Sequence, residues 1–314
     1  MGTIRSKEAS GQEKPADEEA WLLGLPLLRD YLDFVKSKVV GGAAVVPAAL
    51  TDEWRDANDY YHELEQRESG IADQVECRDL DPALTPLVEE MRENTYYRRA
   101  FNKLPTAFGM VELDRLIVFQ KSVTDTFVKA LASRLGRAPA PEALFRFAMP
   151  IGERDAPVEI RRVGSKRYVF RSDSTDFRYH EPVLLEPGQI RGYDAFGPIA
   201  GIVGLVVGFG SNMLNAVRVG KRLVLQNGYH RACALRELGV THAPCIIQTV
   251  TRTDELELAA KGVVVEDPDF YFKTARPPLL KDFFDPRIRK QLRCHKQVRM
   301  VEVNFEVKDF LVPE

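Results

Sequence analysis

The spacing of apolar residues changes character near residue 140. Before it, apolar positions recur every three or four residues, the period of a helix with one buried face. Leu28, Tyr31, Leu32 and Val35 form one stripe, and Trp54, Ala57, Tyr61 and Leu64 a second. Asp81-Pro82 predicts an N-cap followed by proline at the first helical position, with Leu84, Leu87, Val88 and Met91 behind it. Ser122 and Asp125 read as a capping box ahead of Val123, Phe127, Leu131 and Leu135, with Gly136 as the terminator. Residues 17–140 therefore predict a mainly helical domain. Residues 1–16 are polar, have little to bury, and read as a disordered tail.

After Pro139-Ala140-Pro141 the runs shorten. Leu144–Met149 reads as a strand. Two alternating runs about Gly164-Ser165 read as a hairpin, and Ala216–Val219 with Arg222–Leu225 as a second hairpin about Gly220. Val183–Leu185, Cys245–Val250 and Val298–Val307 read as strands, Arg231–Leu238 as a helix closed by Gly239, and Thr253 as the start of a short helix. Residues 195–217 carry no charge, a length that could span a bilayer. Pro198 and five glycines interrupt the stretch, so it reads as a buried helix over 195–209, then a turn and a central strand. The sum is an α+β chain: a helical N-terminal region, then a small mixed α/β domain with added hairpins over 141–314.

Composition narrows the classes. At roughly 150 residues per domain, 314 residues suggest two domains. With 45% hydrophobic and 29% charged residues, global disorder is excluded. A net charge of −2 excludes a uniformly basic nucleic-acid surface. Cys77, Cys233, Cys245 and Cys294 include no CxxC pair, and there is no HExxH, so neither a disulfide scaffold nor a local zinc site is expected. Cysteine usage and the polar first 20 residues fit a cytoplasmic protein outside the membrane.

The chemistry concentrates in Val224–Gly239. A strand meets Asn227-Gly228 and a helix starts at once. The first amides of a helix lack internal partners and, with the helix dipole, form an anion seat. Gly228 would let a ligand approach the backbone, and His230 and Arg231 on the first turn could pair with phosphate. The same run fits equally well a capped helix whose His230 and Arg231 face water.

This segment resembles the ParB/sulfiredoxin-like superfamily, in which Gly-x-x-Arg opens a helix after a hairpin. The likeness covers about residues 180–250. Pro182–Ile190 resembles the opening strand, Pro198–Gly210 the helix before the turn, Asn215–Leu225 the hairpin, and Gly239–Ile247 the exit. It implies a nucleotide (ATP, ADP or CTP) with Mg2+, held by Asn227, Gly228, Tyr229, His230 and Arg231, with Ser211 and Asn212 beside the pocket. Phosphoryl transfer to a small-molecule acceptor or nucleotide hydrolysis follows, with His230, Glu186 and Asp194 as candidate catalytic groups. The alternative is a non-catalytic module for nucleic acid or protein, or a nuclease-like member of the fold. Departures are plain. Tyr229 stands where sulfiredoxins have cysteine, Gln226-Asn227 where serine kinases have an acid, and the chain after Thr253 lacks the helix-turn-helix of partition proteins. A basic run, Arg287, Arg289, Lys290, Arg293, Lys296 and Arg299, reads as a solvated segment, a phosphate closure or a nucleic-acid contact.

Overall fold

A computed structural model of the chain describes residues 16–25, 27–151, 156–174, 176–190, 192, 197–210, 212–260 and 262–311. The chain is an α+β protein that divides into two compact units. The first takes Met1–Ile151 and Met213–Lys296, and the second takes Gly152–Asn212 and Gln297–Glu314. The first unit therefore draws on both sides of residue 140. The expected tail over 1–16 lies outside the described residues except for Ala16, which opens a strand.

In the first unit, β1 (Ala16–Leu22) leads into α1 (Leu28–Lys38) and α2 (Pro47–Arg67). Both helices bury the predicted stripes: Tyr31 and Val35, then Ala57, Tyr61 and Leu64. They cluster with Trp21, Leu23, Ile288 and Leu292. After β2 (Cys77–Arg78) come α3 (Thr85–Glu93) and α4 (Thr95–Ala100). Asp81 caps as expected, its Oδ1 accepting the Ala83 N–H at 2.9 Å, although the first turn there is a 3-10 turn over Pro82–Leu84. β3 (Thr106–Glu112), β4 (Ser122–Thr124), α5 (Asp125–Leu135) and α6 (Pro141–Ala148) follow.

Two expectations fail here for identifiable reasons. Ser122 does not open a capping box: Ser122–Thr124 pairs with β1, and Thr124 is the N-cap of α5. Leu144–Met149 is not a strand. Pro141 sits at the first position of α6, and Phe145 and Ala148, three apart, share its buried face. Beside helices α1 to α5, residues 17–140 also hold β1 and β3, whose apolar residues lie on both faces and so never alternate cleanly.

The second unit begins with β5 (Val158–Arg162) and β6 (Arg167–Ser172), the hairpin expected about Gly164. β7 (Phe177–Leu185) and β8 (Ile202–Phe209) pair antiparallel. β8 corrects the buried helix expected over 195–209, and with it the helix the family resemblance requires at Pro198–Gly210. Gly204 and Gly208 would weaken a helix, while Ile202, Val203, Val206 and Val207 favour an extended chain.

The chain then re-enters the first unit with β9 (Asn215–Val219), β10 (Arg222–Asn227), α7 (Tyr229–Glu237) and β11 (His242–Val250). Short helices α8 (Leu256–Ala259), α9 (Val263–Glu266) and α10 (Pro268–Phe272) and strand β12 (Arg289–His295) complete it. β13 (Arg299–Asn304) closes the second unit against β6. The main sheet of the first unit has the order β10-β9-β11-β3-β2, with β9 and β11 parallel. α7 makes the crossover between them, burying Ala232, Cys233, Ala234 and Leu235 in the core. A second sheet, β12-β1-β4, joins the first residues described to residues 289–295. Among the described residues no helix is long and apolar enough to cross a membrane.

Two ionic ties pin this unit. Arg276, 1% exposed, donates to both Asp282 oxygens at 2.6 Å, to Tyr61 Oη at 2.6 Å and to Glu68 at 3.1 Å. Arg222, at the start of β10, holds Asp73 bidentately, with both bonds 2.9 Å. The Arg222 hydrogen bonds hold the Asp73 carboxyl below its ordinary range. A depressed carboxyl stabilises the fold above its unfolded pKa, about 3.9, and that contribution is lost as pH falls through the folded value. Urea titrations between neutral pH and pH 3 should therefore show a smaller acid loss in Asp73→Asn than in the native chain.

Candidate functional site

The site expected from sequence lies within the first unit, where β10 runs into α7. The β10–β9 register shifts between Leu225 and Asn227, leaving Gln226 at a bulge. Gly228 then adopts φ +88°, a left-handed conformation, and its N–H donates to Asn227 Oδ1 at 2.8 Å. α7 starts at the next residue, and Gly228 O accepts the Ala232 N–H.

What approaches Gly228 is the chain itself. A Cβ at this position would stand 2.8 Å from Leu214 Cα and 3.1 Å from Leu214 Cβ. The glycine thus serves close packing as well as the turn. The three side chains that follow are struts. Tyr229 is buried; its O–H donates to Leu225 O at 2.8 Å and accepts the Phe119 N–H at 3.0 Å. Burial raises its phenol pKa well above the ordinary range. His230 is half-buried, and its Nε2 accepts the Thr124 N–H at 3.0 Å, so that nitrogen carries no proton. Its ring meets Phe127 edge-on at 5.3 Å. Arg231 is buried, with Nη1 donating to Phe147 O at 2.8 Å and the guanidinium 5.2 Å from the Phe147 ring centroid. The Gly-x-His-Arg run therefore rivets α7 to three other segments. Tyr229 and Arg231 are thus held in the core, and His230, half-buried, is held through Nε2.

Gln226 is the residue the sequence reading underused. Its Nε2 is buried with no hydrogen-bond partner among the described residues. A buried amide donor left unmatched costs about 1–3 kcal/mol, so such an atom marks a place where an acceptor belongs. The strand bulge that puts it there leaves no mark in the sequence.

Of the other candidates, Glu186 and Asn212 belong to the second unit. Glu186 is exposed in the second unit, after β7, and its own N–H donates to Gln189 Oε1 at 2.8 Å. Asn212 is half-buried at the end of the second unit. Ser211 and Asp194 lie outside the described residues. Among the described residues no group of three or more His, Cys, Asp or Glu is placed to hold a metal.

The basic run is partly spent within the first unit. Arg287 pairs with Glu63 at 3.6 Å and lies over the Tyr60 ring at 3.5 Å. Arg289 binds Asp125 at 2.8 Å, and Lys290 pairs with Glu53. These cations line one wall of a cleft of about 600 Å3 whose other wall carries Asp52, Glu53 and Asp56. The wall opposite would repel a phosphate chain.

Cys233, on α7, is buried. Burial pushes the Cys233 thiol up to about 12, does the same to Cys294, and raises Cys245 as well. Cys77 is exposed. A thiolate, not a thiol, attacks disulfide reagents. In native protein at pH 8, Cys77 should therefore react first, and Cys77→Ser should remove the fast phase of thiol titration. Compared with known proteins, the chain matches no family model, no curated protein and no solved structure.

Proposed function

We propose that the chain binds a nucleotide (ATP, ADP or CTP) at the corner formed by Gln226, Asn227 and the first turn of α7, in the manner of the ParB/sulfiredoxin-like proteins it resembles. The observation that carries this is the buried, unmatched Gln226 Nε2 at the bulge ahead of that helix. A phosphate oxygen is an acceptor of the right kind, and the N-terminal amides of α7 add partial positive charge. The order hairpin, Gly-x-His-Arg, helix and parallel strand over Asn215–Val250 supports the same reading.

In this reading the phosphates meet main-chain amides and the Gln226 amide. Tyr229, His230 and Arg231 hold the helix start in place through Phe119, Thr124 and Phe147. Positioned donors of this sort stabilise charge that develops during phosphoryl transfer or hydrolysis. The described donor set does not fit a metal held by the protein, so Mg2+ would arrive on the phosphates. Binding without turnover is the second reading. It is favoured because His230 Nε2 is already engaged by Thr124 and takes up a proton only by losing that bond.

The test is thermal unfolding of native protein and Gln226→Leu with ATP, ADP and CTP, each with and without Mg2+. At a hundredfold excess over Kd, a ligand stabilises by about 2.7 kcal/mol, a rise of about 5 °C or more for a unit of this size. The native chain should show that rise with one nucleotide, and the variant should lose most of it. If no nucleotide moves the native transition, the proposal fails.

A further inference from the structure

The two strands of the β7–β8 hairpin differ in how their outer edges are treated. An edge strand offers a row of unpaired N–H and C=O groups to any other strand, and monomeric proteins blunt it with charges, proline or a bulge. β7 has all three. Arg178 and Glu181 carry charge, Pro182 lacks an N–H, and the register breaks between Tyr179 and Glu181. β13 also lies against β7. β8 has none of these devices. Its eight residues, Ile202–Phe209, carry no charge and no proline, and the extra residue of the bulge lies on β7, not on β8. Beyond β7, β8 has no strand partner among the described residues. Val203 is 67% exposed and Val206 41%.

We propose that β8 pairs antiparallel with β8 of a second copy of this chain, joining two hairpins into a four-stranded sheet, β7-β8-β8-β7, about a two-fold axis. The occupant follows from the chemistry of the edge. Backbone N–H and C=O groups need hydrogen-bonding partners, which a lipid surface does not supply. A strand does, and a two-fold axis sets identical residues in reciprocal places. A charge near the axis would then lie close to its own copy, and β8 has none. A foreign strand that selects this edge by charge would find nothing to read. The hairpin also gains by it, because a two-stranded ribbon alone is marginal in water and a wider sheet is not.

The contact area sets the strength. Eight residues at about 3.4 Å each make an edge roughly 27 Å long, and a sheet about 10 Å thick then buries roughly 500 Å2 over both copies. That is below the range of specific, stable interfaces, about 1,200 Å2 and above, so the dimer is weak and reversible.

Sedimentation velocity on the full chain, from low micromolar to several hundred micromolar, tests this. The native chain should shift from monomer to dimer across that range. Val203→Lys/Val206→Lys, which gives β8 the blunting that β7 has, should weaken association at least about tenfold while leaving the far-UV spectrum unchanged. Should the variant fail to fold, hydrogen exchange on native protein provides an independent reading: β8 amides should gain protection with concentration, and β5 amides should not. A native chain that stays monomeric overturns the proposal, including one that is monomeric yet binds neutral lipid vesicles. Dimerisation unaffected by the two lysines, or exchange at β8 independent of concentration, overturns it too.

Discussion

Gly228→Ala should destabilise the first unit by about 2–5 kcal/mol, a large fraction of a typical folding free energy of about 5–15 kcal/mol. Two costs add. A left-handed φ costs an L-residue about 1–2 kcal/mol, and Gly228 sits at +88°. Overpacking adds about 1–3 kcal/mol, because the new methyl would stand 2.8 Å from Leu214 Cα, a backbone atom that cannot swing aside. Gly220 separates the two. It has φ +59°, but nothing lies within 4 Å of its would-be Cβ, so Gly220→Ala carries only the conformational cost, about 1 kcal/mol. Urea unfolding of both variants checks the claim. Equal losses at the two positions would show that the Leu214 contact contributes nothing.

Arg276→Met should cost about 3–5 kcal/mol, because it strands a carboxylate in the core. Asp282 is 1% exposed, and once Arg276 is gone its remaining bonds come from the Leu279 N–H at 2.8 Å and the Tyr61 O–H at 3.4 Å. Adding Asp282→Leu removes the orphan, and the double variant should recover much of the loss. Burial already pushes the Asp282 carboxyl above its ordinary range, against the pull of Arg276. Without the arginine the rise is larger. A carboxyl with a raised folded pKa contributes stability at low pH that is lost as pH rises through the folded value. The penalty of Arg276→Met relative to native protein should therefore be smaller at pH 4 than at pH 7. A penalty independent of pH, or a double variant no better than the single, would count against this account of the cluster.

Sequence periodicity reads well where burial is one-sided. α1 and α2 bury Tyr31, Val35, Ala57, Tyr61 and Leu64 of their stripes and half-bury Leu28, Leu32 and Trp54, and the hairpins at Gly164 and Gly220 turn where glycine permits. It reads poorly where apolar residues lie on both faces, as in β3, or where a short run has no period to declare, as in Leu144–Met149. β8 misleads in another way. Its uncharged sequence suggests burial, yet it is an edge strand with exposed valines. At the α7 corner, the strand–glycine–helix geometry is legible because Asn227-Gly228 dictates it. The aim of Tyr229, His230 and Arg231 is not, because Phe119, Thr124 and Phe147 stand 84 to 110 residues away in sequence. Nor is Gln226, whose isolation depends on a one-residue slip between strands.

The pairing of β1 with β12 has a consequence for how the molecule is made. Ala16 meets His295 and Leu22 meets Arg289, so the first strand described must wait for residues 289–295 to be synthesised before it finds its main neighbour. Until then its strand partner among the described residues is the three-residue β4, and Trp21, Leu23 and the inner faces of α1 and α2 lack the cover of Ile288 and Leu292. Contacts this far apart in sequence slow folding. A nascent chain carrying such uncovered surface is a natural client for chaperones, and release of a chain stopped before residue 288 should yield aggregate rather than a smaller folded protein.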